Sequence, residues 1–184
     1  MSSKRLAQKE LHRLFLQDIG SYAEEIVDDG KKPLYMHLKY PFSRDLKVYI
    51  FNCTAPPGGR SIDEFKVQLI LDGQKRGERG KFDLKDGRTT LIVGYAAPFV
   101  DLSEGIWVLF ELDKHKEFAY SANIQVYLRQ ILPALEKNVH ICRKHNKETL
   151  VLAQRQYLSE ALQERFDIDL KVMLEKDEHG IKRT

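Results

Sequence analysis

The stretch LKVYIFNCTAPPGGRSIDEFKVQLIL (residues 46–71) decides the fold, because two β-rich runs flank a segment that neither run can continue through. Valine, isoleucine, tyrosine and phenylalanine favour strands, and the Pro-Pro-Gly-Gly between the runs breaks them. TTLIVGYA (89–96) and IWVLFELD (106–113) repeat the pattern. Strands that follow one another without intervening helices predict an antiparallel sheet or barrel rather than alternating strands and helices.

Helices are predicted at both ends of the chain. Apolar residues from Leu6 to Val27 recur at intervals of three and four, which predicts a helix over about residues 5–29, with Gly20-Ser21 as a point where it can split. Similar spacing predicts helix over residues 146–166, and Val172–Leu174 is interpreted as a last short strand. We therefore expect one α+β, mainly β domain over residues 1–184, with its strand core at 46–130.

The composition is that of an ordinary globular protein, with 42% hydrophobic and 31% charged residues in 184. A net charge of +3 permits a polyanionic partner but does not require one. The sequence contains no apolar run long enough to span a membrane, and its N-terminus lacks the features of a signal peptide. Neither cysteine has metal-ligand spacing, so we expect a reduced, intracellular protein with no membrane partner.

Glu64-Phe65-Lys66 raises the hypothesis of a nuclease centre. Metal-dependent nucleases of the PD-(D/E)XK type hold Mg²⁺ with acids on two successive strands, and a lysine two residues after the second acid orients the attacking water. Asp45, Glu64 and Lys66 have this order. Alternating charges on the solvent face of a strand produce the same triplet, so an exposed or DNA-facing strand is the competing interpretation.

Two further polar segments are candidates for contact with nucleic acid. GQKRGERGKFD (73–83) carries Lys75, Arg76, Arg79 and Lys81 between glycines that allow close approach to a phosphate, although a solvated hairpin also fits. Residues 113–125 combine donors and acceptors of the kind that contact base edges. These side chains are Lys114, His115, Lys116, Tyr120, Ser121, Asn123 and Gln125.

The order of these features resembles the DNA-binding pseudobarrel of the plant "B-three" type, which serves as a recognition or effector domain in type II restriction endonucleases. A first polar arm (54–63), a return strand, a basic hairpin, two strands and a second polar arm (113–123) carry the resemblance over residues 46–130. It implies an antiparallel open pseudobarrel of about seven strands with flanking helices at both ends. The implied partner is double-stranded DNA, contacted in the major groove by both arms.

The resemblance also implies roles for individual residues. It implies contacts from the first arm, from the strand face and from the second arm; the implied residues are Arg60, Asp63, Glu64, Lys66, Gln68, Lys114, His115, Tyr120, Ser121 and Asn123. By their charge, Lys75, Arg76, Arg79 and Lys81 of the basic hairpin and Lys116 of the second arm are also expected to contact DNA. Such a domain uses no metal or small-molecule cofactor, and Mg²⁺ is expected only for the nuclease domain of a longer parent enzyme. A protein-interaction barrel is a third possibility.

Overall fold

The computed structural model describes residues 5–55, 61–98 and 101–181. Its strands are β1 Ala23–Val27, β2 Leu34–Leu38, β3 Arg44–Cys53, β4 Glu64–Leu69, β5 Gly80–Lys81, β6 Thr89–Ala96, β7 Ile106–Phe110, β8 Glu117–Phe118, β9 Ala122–Tyr127, β10 Val139–Arg143 and β11 Thr149–Gln154. Its α-helices are α1 Gln8–Ile19, α2 Leu128–Ile131, α3 Pro133–Glu136 and α4 Leu158–Ile181. Within these ranges, seven strands form one sheet in the order β1-β2-β3-β6-β7-β11-β10, while β4 pairs with β9 and β5 with β8.

The main sheet is mostly antiparallel, which confirms the prediction of a mainly β fold. One neighbouring pair is parallel: β3 and β6 run side by side from Leu46 opposite Thr89 to Cys53 opposite Ala96. A parallel pair needs a long crossover, and the segment containing β4 and β5 supplies it. The expectation of purely antiparallel pairing is therefore wrong at the centre of the sheet, where both strands are covered on both faces.

The sheet separates two apolar cores, and the side chains of β3 alternate between them. Leu46, Val48 and Ile50 point to the core shared with α1 and α4. Tyr49 and Phe51 point to the core shared with β4, β9, α2 and α3. Because strand side chains alternate between faces, one apolar run serves both layers. The strand pair β4–β9 is thereby held against one face of the sheet, with the helices α1 and α4 on the other.

The predicted N-terminal helix over residues 5–29 is too long, because α1 ends at Ile19. Gly20 follows with φ +58° and ψ −134°, a conformation that is readily available only to glycine. Residues 23–27 then form the edge strand β1, which pairs with β2. Ile26 and Val27 are 45% and 62% exposed. Their helical spacing was thus not a sign of burial.

The predicted helix over residues 146–166 is wrong in its first half. Residues 149–154 form β11 between β7 and β10, so the sheet extends beyond the predicted core at 46–130. The helix α4 begins at Leu158 and runs to Ile181, through the predicted strand at Val172–Leu174. No helix in the described part of the chain, α4 included, is long and apolar enough to cross a membrane.

Candidate nucleic-acid interface

The strand pair β4–β9 presents one polar face, built by strict alternation along both strands. Phe65 and Val67 point inward to the core, and their cross-strand partners Val126 and Ile124 do the same. The intervening residues point outward. We call this outward set the polar ribbon face: Glu64 opposite Tyr127, Lys66 opposite Gln125, and Gln68 opposite Asn123. The predicted contact residues Glu64, Lys66, Gln68 and Asn123 are therefore brought together on one surface.

Hydrogen bonds fix part of this face and leave part of it available. Gln125 Nε2 donates to Glu64 Oε1 at 3.0 Å, and Gln68 Nε2 donates to Ser121 Oγ. Glu64 is only 9% exposed, so the side chains around it largely cover it. Asn123 is exposed, and no hydrogen bond joins its side chain to another described residue. The side-chain amide of Asn123 is thus open to solvent.

The two predicted arms enter this face at its opposite ends. The first arm leads into β4 at Glu64, and the second leads into β9 at Ala122, which pairs with Leu69 at the far end of β4. Six residues of antiparallel strand extend about 17 Å. Of the first arm, residues 56–60 lie outside the described residues, Arg60 among them. The described end of that arm is held by Asp63, whose carboxylate accepts from Arg129 Nη1 at 3.2 Å.

The basic hairpin and the second arm are neighbours in space. Their short strands β5 and β8 pair with Gly80 opposite Phe118 and Lys81 opposite Glu117. Lys81 Nζ lies 2.7 Å from Glu117 Oε1 across this pair. Lys116 is also paired, at 2.7 Å from Asp113, and this contact is the main cause that lowers the pKa of Asp113. Two of the lysines predicted to contact DNA, Lys81 and Lys116, are therefore already paired with carboxylates.

Other cations of these segments carry no such partner. The side chains of Lys75, Arg76, Arg79 and Lys114 are exposed and form no salt bridge with another described residue. The backbone amide of Lys75 donates to Glu78 Oε2 at 2.9 Å. This bond stabilises the turn without using the Lys75 side chain, whose ammonium group stays in solvent. An exposed cation without a carboxylate partner is the kind of group that neutralises a phosphate.

A buried lysine anchors the base of the basic hairpin. Lys47 is 1% exposed on β3, and its Nζ lies 2.8 Å from Asp86 Oδ2 and donates to Asp83 O at 2.7 Å. The hydrogen bond from Lys47 is the largest cause that lowers the pKa of Asp86 to about 2. This anchor was not predicted, although a lysine inside an apolar strand was an available signal for it.

His115 is tied to a buried carboxylate rather than left in solvent. Its Nε2 lies 2.6 Å from Glu148 Oε1, and Lys144 Nζ lies 2.7 Å from Glu148 Oε2. Glu148 is fully buried. Burial alone would raise the pKa of Glu148, but His115 and Lys144 outweigh it and hold that pKa below its usual value. Because Lys144 Nζ also donates to Gln125 O at 2.9 Å, the second arm, β9 and the β10–β11 turn are joined here.

An open groove of about 580 Å³ lies between β9 and the β10–β11 turn. Asn123, Gln125 and Tyr127 of the polar ribbon face line one side, and His140, Arg143, Lys144, His145 and Asn146 line the other. At the edge of the groove, the central carbon of the Arg129 guanidinium lies 4.2 Å from the centre of the Tyr127 ring. The side formed by residues 140–146 was not predicted, because the residues of β11 were expected in a helix and no strand was expected at 139–143.

Three other predicted residues, Tyr120, Ser121 and Asp45, lie beside the polar ribbon face or away from it. Tyr120 and Ser121 lie half-buried in the turn between β8 and β9. Asp45 lies at the start of β3, where its Oδ1 is 2.7 Å from His37 Nδ1. Thr54, nine residues after Asp45 and just beyond the end of β3, exchanges two 2.9 Å backbone hydrogen bonds with Lys66. A strand of that length extends about 30 Å.

Asp45 is therefore not brought together with Glu64 and Lys66. The described ranges also contain no group of three histidine, cysteine, aspartate or glutamate side chains arranged to hold a metal ion. The nuclease centre of the alternative hypothesis is not assembled from these three residues.

The family model described as methylase-associated X1 matches residues 44–162, more than half of the chain. The chain belongs to the methylase-associated X1 family. The methylase-associated X1 segment begins with β3, ends in α4, and contains the polar ribbon face, the basic hairpin and the groove. The family links the chain to restriction–modification systems. No curated protein and no solved structure matches the chain.

Proposed function

We propose that this methylase-associated X1 protein is a sequence-specific recognition domain for double-stranded DNA, belonging to a restriction endonuclease. The observation that carries the proposal is the polar ribbon face, where Gln68 and Asn123 stand opposite each other on a two-stranded ribbon. A two-stranded β-ribbon fits the major groove of B-DNA, and asparagine and glutamine pair with adenine there. The family's link to restriction–modification supports a DNA partner.

In this proposal, the two arms extend the contact with DNA beyond the ribbon. They enter the ribbon at opposite ends, about 17 Å apart, which corresponds to about five base pairs at 3.4 Å each. Arms 54–63 and 113–123 flank a short site, and the ribbon contacts the bases between them. The open pseudobarrel belongs to the same proposal, with the Thr54–Lys66 backbone bridge joining the ribbon to the end of β3 as its support.

The exposed cations supply affinity without specificity. Lys75, Arg76 and Arg79 project from the basic hairpin next to the second arm and contact phosphates. Phosphate contacts hold a protein in register on the duplex, while base contacts select the sequence. The domain uses no metal or small-molecule cofactor in this mechanism, and Mg²⁺ is required only by a nuclease domain of the parent enzyme.

A nuclease that uses Asp45, Glu64 and Lys66 is disfavoured by the strand length that separates Asp45 from the other two. Binding and cleavage assays distinguish the two functions. We expect wild-type protein to bind a duplex at 50 mM salt in EDTA and to lose roughly 10³-fold or more in affinity at 200 mM salt, as multiple phosphate contacts require. No cleavage is expected on adding Mg²⁺. Failure to bind any duplex at low salt would contradict the proposal, and Mg²⁺-dependent cleavage that Lys66→Ala abolishes would favour the nuclease.

A further inference from the structure

The groove beside β9 is lined by side chains with hydrogen-bond donors that neither predicted arm includes. Arg143 ends β10 and is exposed, and His145 lies exposed in the β10–β11 turn. Both line the groove together with Lys144. The opposite side is formed by Asn123 and Gln125 of the polar ribbon face. The groove therefore borders the surface that we assign to base recognition.

The charges around the groove leave a net positive surface. Glu148 beneath it is fully buried and already contacts His115 and Lys144. Asp63 is engaged by Arg129 at the groove edge. Arg143 forms no salt bridge with any described residue. Among the described residues, no carboxylate therefore compensates the charge of the Arg143 guanidinium in this groove.

The donors of the groove suit an oxyanion. Gln130 Oε1 accepts from Tyr127 N at 2.9 Å, which leaves the Gln130 amide NH₂ to donate. Arg143 offers a planar fork of donors that matches a phosphate, and the Asn146 amide adds another. A volume of about 580 Å³ admits a stretch of sugar-phosphate chain and is larger than one anion needs.

We propose that this groove binds a segment of the DNA phosphodiester backbone, with Arg143 and His145 in direct contact and Lys144 as a positioning residue. The inference rests on the proposed function and adds the β10–β11 turn as a third contact region besides the two arms. A backbone held here runs alongside Asn123 and Gln125, so it fixes the register of the bases that the ribbon contacts.

Charge-neutralising variants of two cations near this turn test the inference. Lys147 is exposed in the turn and does not line the groove, so Lys147→Gln is a matched control for Arg143→Gln. We expect Arg143→Gln to weaken binding to preferred and random duplexes alike, by roughly 5- to 10-fold, and to reduce the slope of log K against log salt by about 0.9. Lys147→Gln should leave that slope unchanged, and Arg143→Lys should restore it. Thermal unfolding checks that each variant is folded.

The outcomes separate this inference from the proposed function. If Arg143→Gln leaves affinity and salt slope at the wild-type values while Lys75→Gln weakens binding, the groove assignment is overturned and DNA recognition stands. If Arg143→Gln changes the preference at one base pair with an unchanged slope, Arg143 contacts a base, and the backbone assignment is likewise overturned. If wild-type protein binds no duplex at low salt, both proposals are overturned together.

Discussion

His115 Nε2 lies 2.6 Å from Glu148 Oε1, so the second arm is fastened to a carboxylate that is fully buried beneath the groove. Lys144 contacts the other oxygen of the same carboxylate at 2.7 Å. His115, which was predicted to contact a base, therefore connects the second arm to the β10–β11 turn through Glu148. Its partners make Glu148 the residue on which the geometry of this surface depends.

Glu148→Gln removes the negative charge of the carboxylate that Lys144 and His115 both contact. The largely buried ammonium of Lys144 then has no charged partner there. We expect the free energy of unfolding to fall by about 3 kcal/mol, as is typical when one partner of a buried pair is removed. Urea denaturation at pH 7 measures this loss. Glu136→Gln, at an exposed glutamate in α3, is the control and should change stability by less than about 0.5 kcal/mol. Equal stability of the two variants would show that the Glu148 cluster is not structural.

The Lys47–Asp86 pair predicts a loss of stability in acid. The folded-state pKa of Asp86 is about 2 against an ordinary value of 3.8, so the pair's contribution is complete above pH 4 and disappears as the pH falls toward 2. We expect Asp86→Asn to destabilise the protein at neutral pH and to flatten the decline of stability between pH 4 and pH 2. Urea denaturation across this range tests both effects, with exposed Asp167→Asn as the control. Parallel declines in wild type and Asp86→Asn would contradict the assignment.

Unpaired and paired cations of the basic hairpin should differ in their effect on binding. Lys75 forms no salt bridge with a described residue, whereas Lys81 Nζ lies 2.7 Å from Glu117. We expect Lys75→Gln to weaken binding to all duplexes alike and to lower the salt slope by about 0.9, and Lys81→Gln to have the smaller effect. Fluorescence anisotropy at several salt concentrations measures the slopes. A larger effect at Lys81 would show that DNA displaces Glu117 from its lysine.

Asn123 should control which sequence is bound rather than how tightly any duplex is held. We expect Asn123→Ala to reduce the preference for the selected site over a random duplex by about 1–3 kcal/mol, with little change in random-site affinity. Competition binding with both duplexes measures this ratio, and Lys75→Gln is the opposite control, since it should leave the ratio intact. An unchanged ratio for Asn123→Ala would remove Asn123 from the base contacts.

Local pattern was sufficient for the strands that pass through the centre of the fold. LKVYIFNC, EFKVQLIL, TTLIVGYA and IWVLFELD correspond to β3, β4, β6 and β7, because each combines β-forming residues with clear turn chemistry at its ends. The local sequence did not, however, predict which strands pair with each other. The parallel neighbours β3 and β6 are separated by β4 and β5 in the chain, and nothing in either strand encodes that partnership.

The errors at the two ends have different physical origins. Residues 23–27 matched a helical spacing, but the edge strand β1 leaves Ile26 and Val27 exposed, so the period carried no information about a buried face. Leu150–Ala153 is a continuous apolar run, buried on both faces, which fits a helix and a central strand equally well. Because residues 149–154 were expected in a helix, the β10–β11 turn, Arg143 and the groove were not predicted.

Selection of binding sites from a random duplex library, with wild-type protein in the absence of metal, tests sequence-specific DNA recognition most directly. The geometry of the ribbon predicts enrichment of one site whose informative positions span about five consecutive base pairs. Asn123→Ala carried through the same selection should lose information at one of those positions. Retention of duplexes with no sequence enriched, or no retention of any duplex at low salt, would contradict the account.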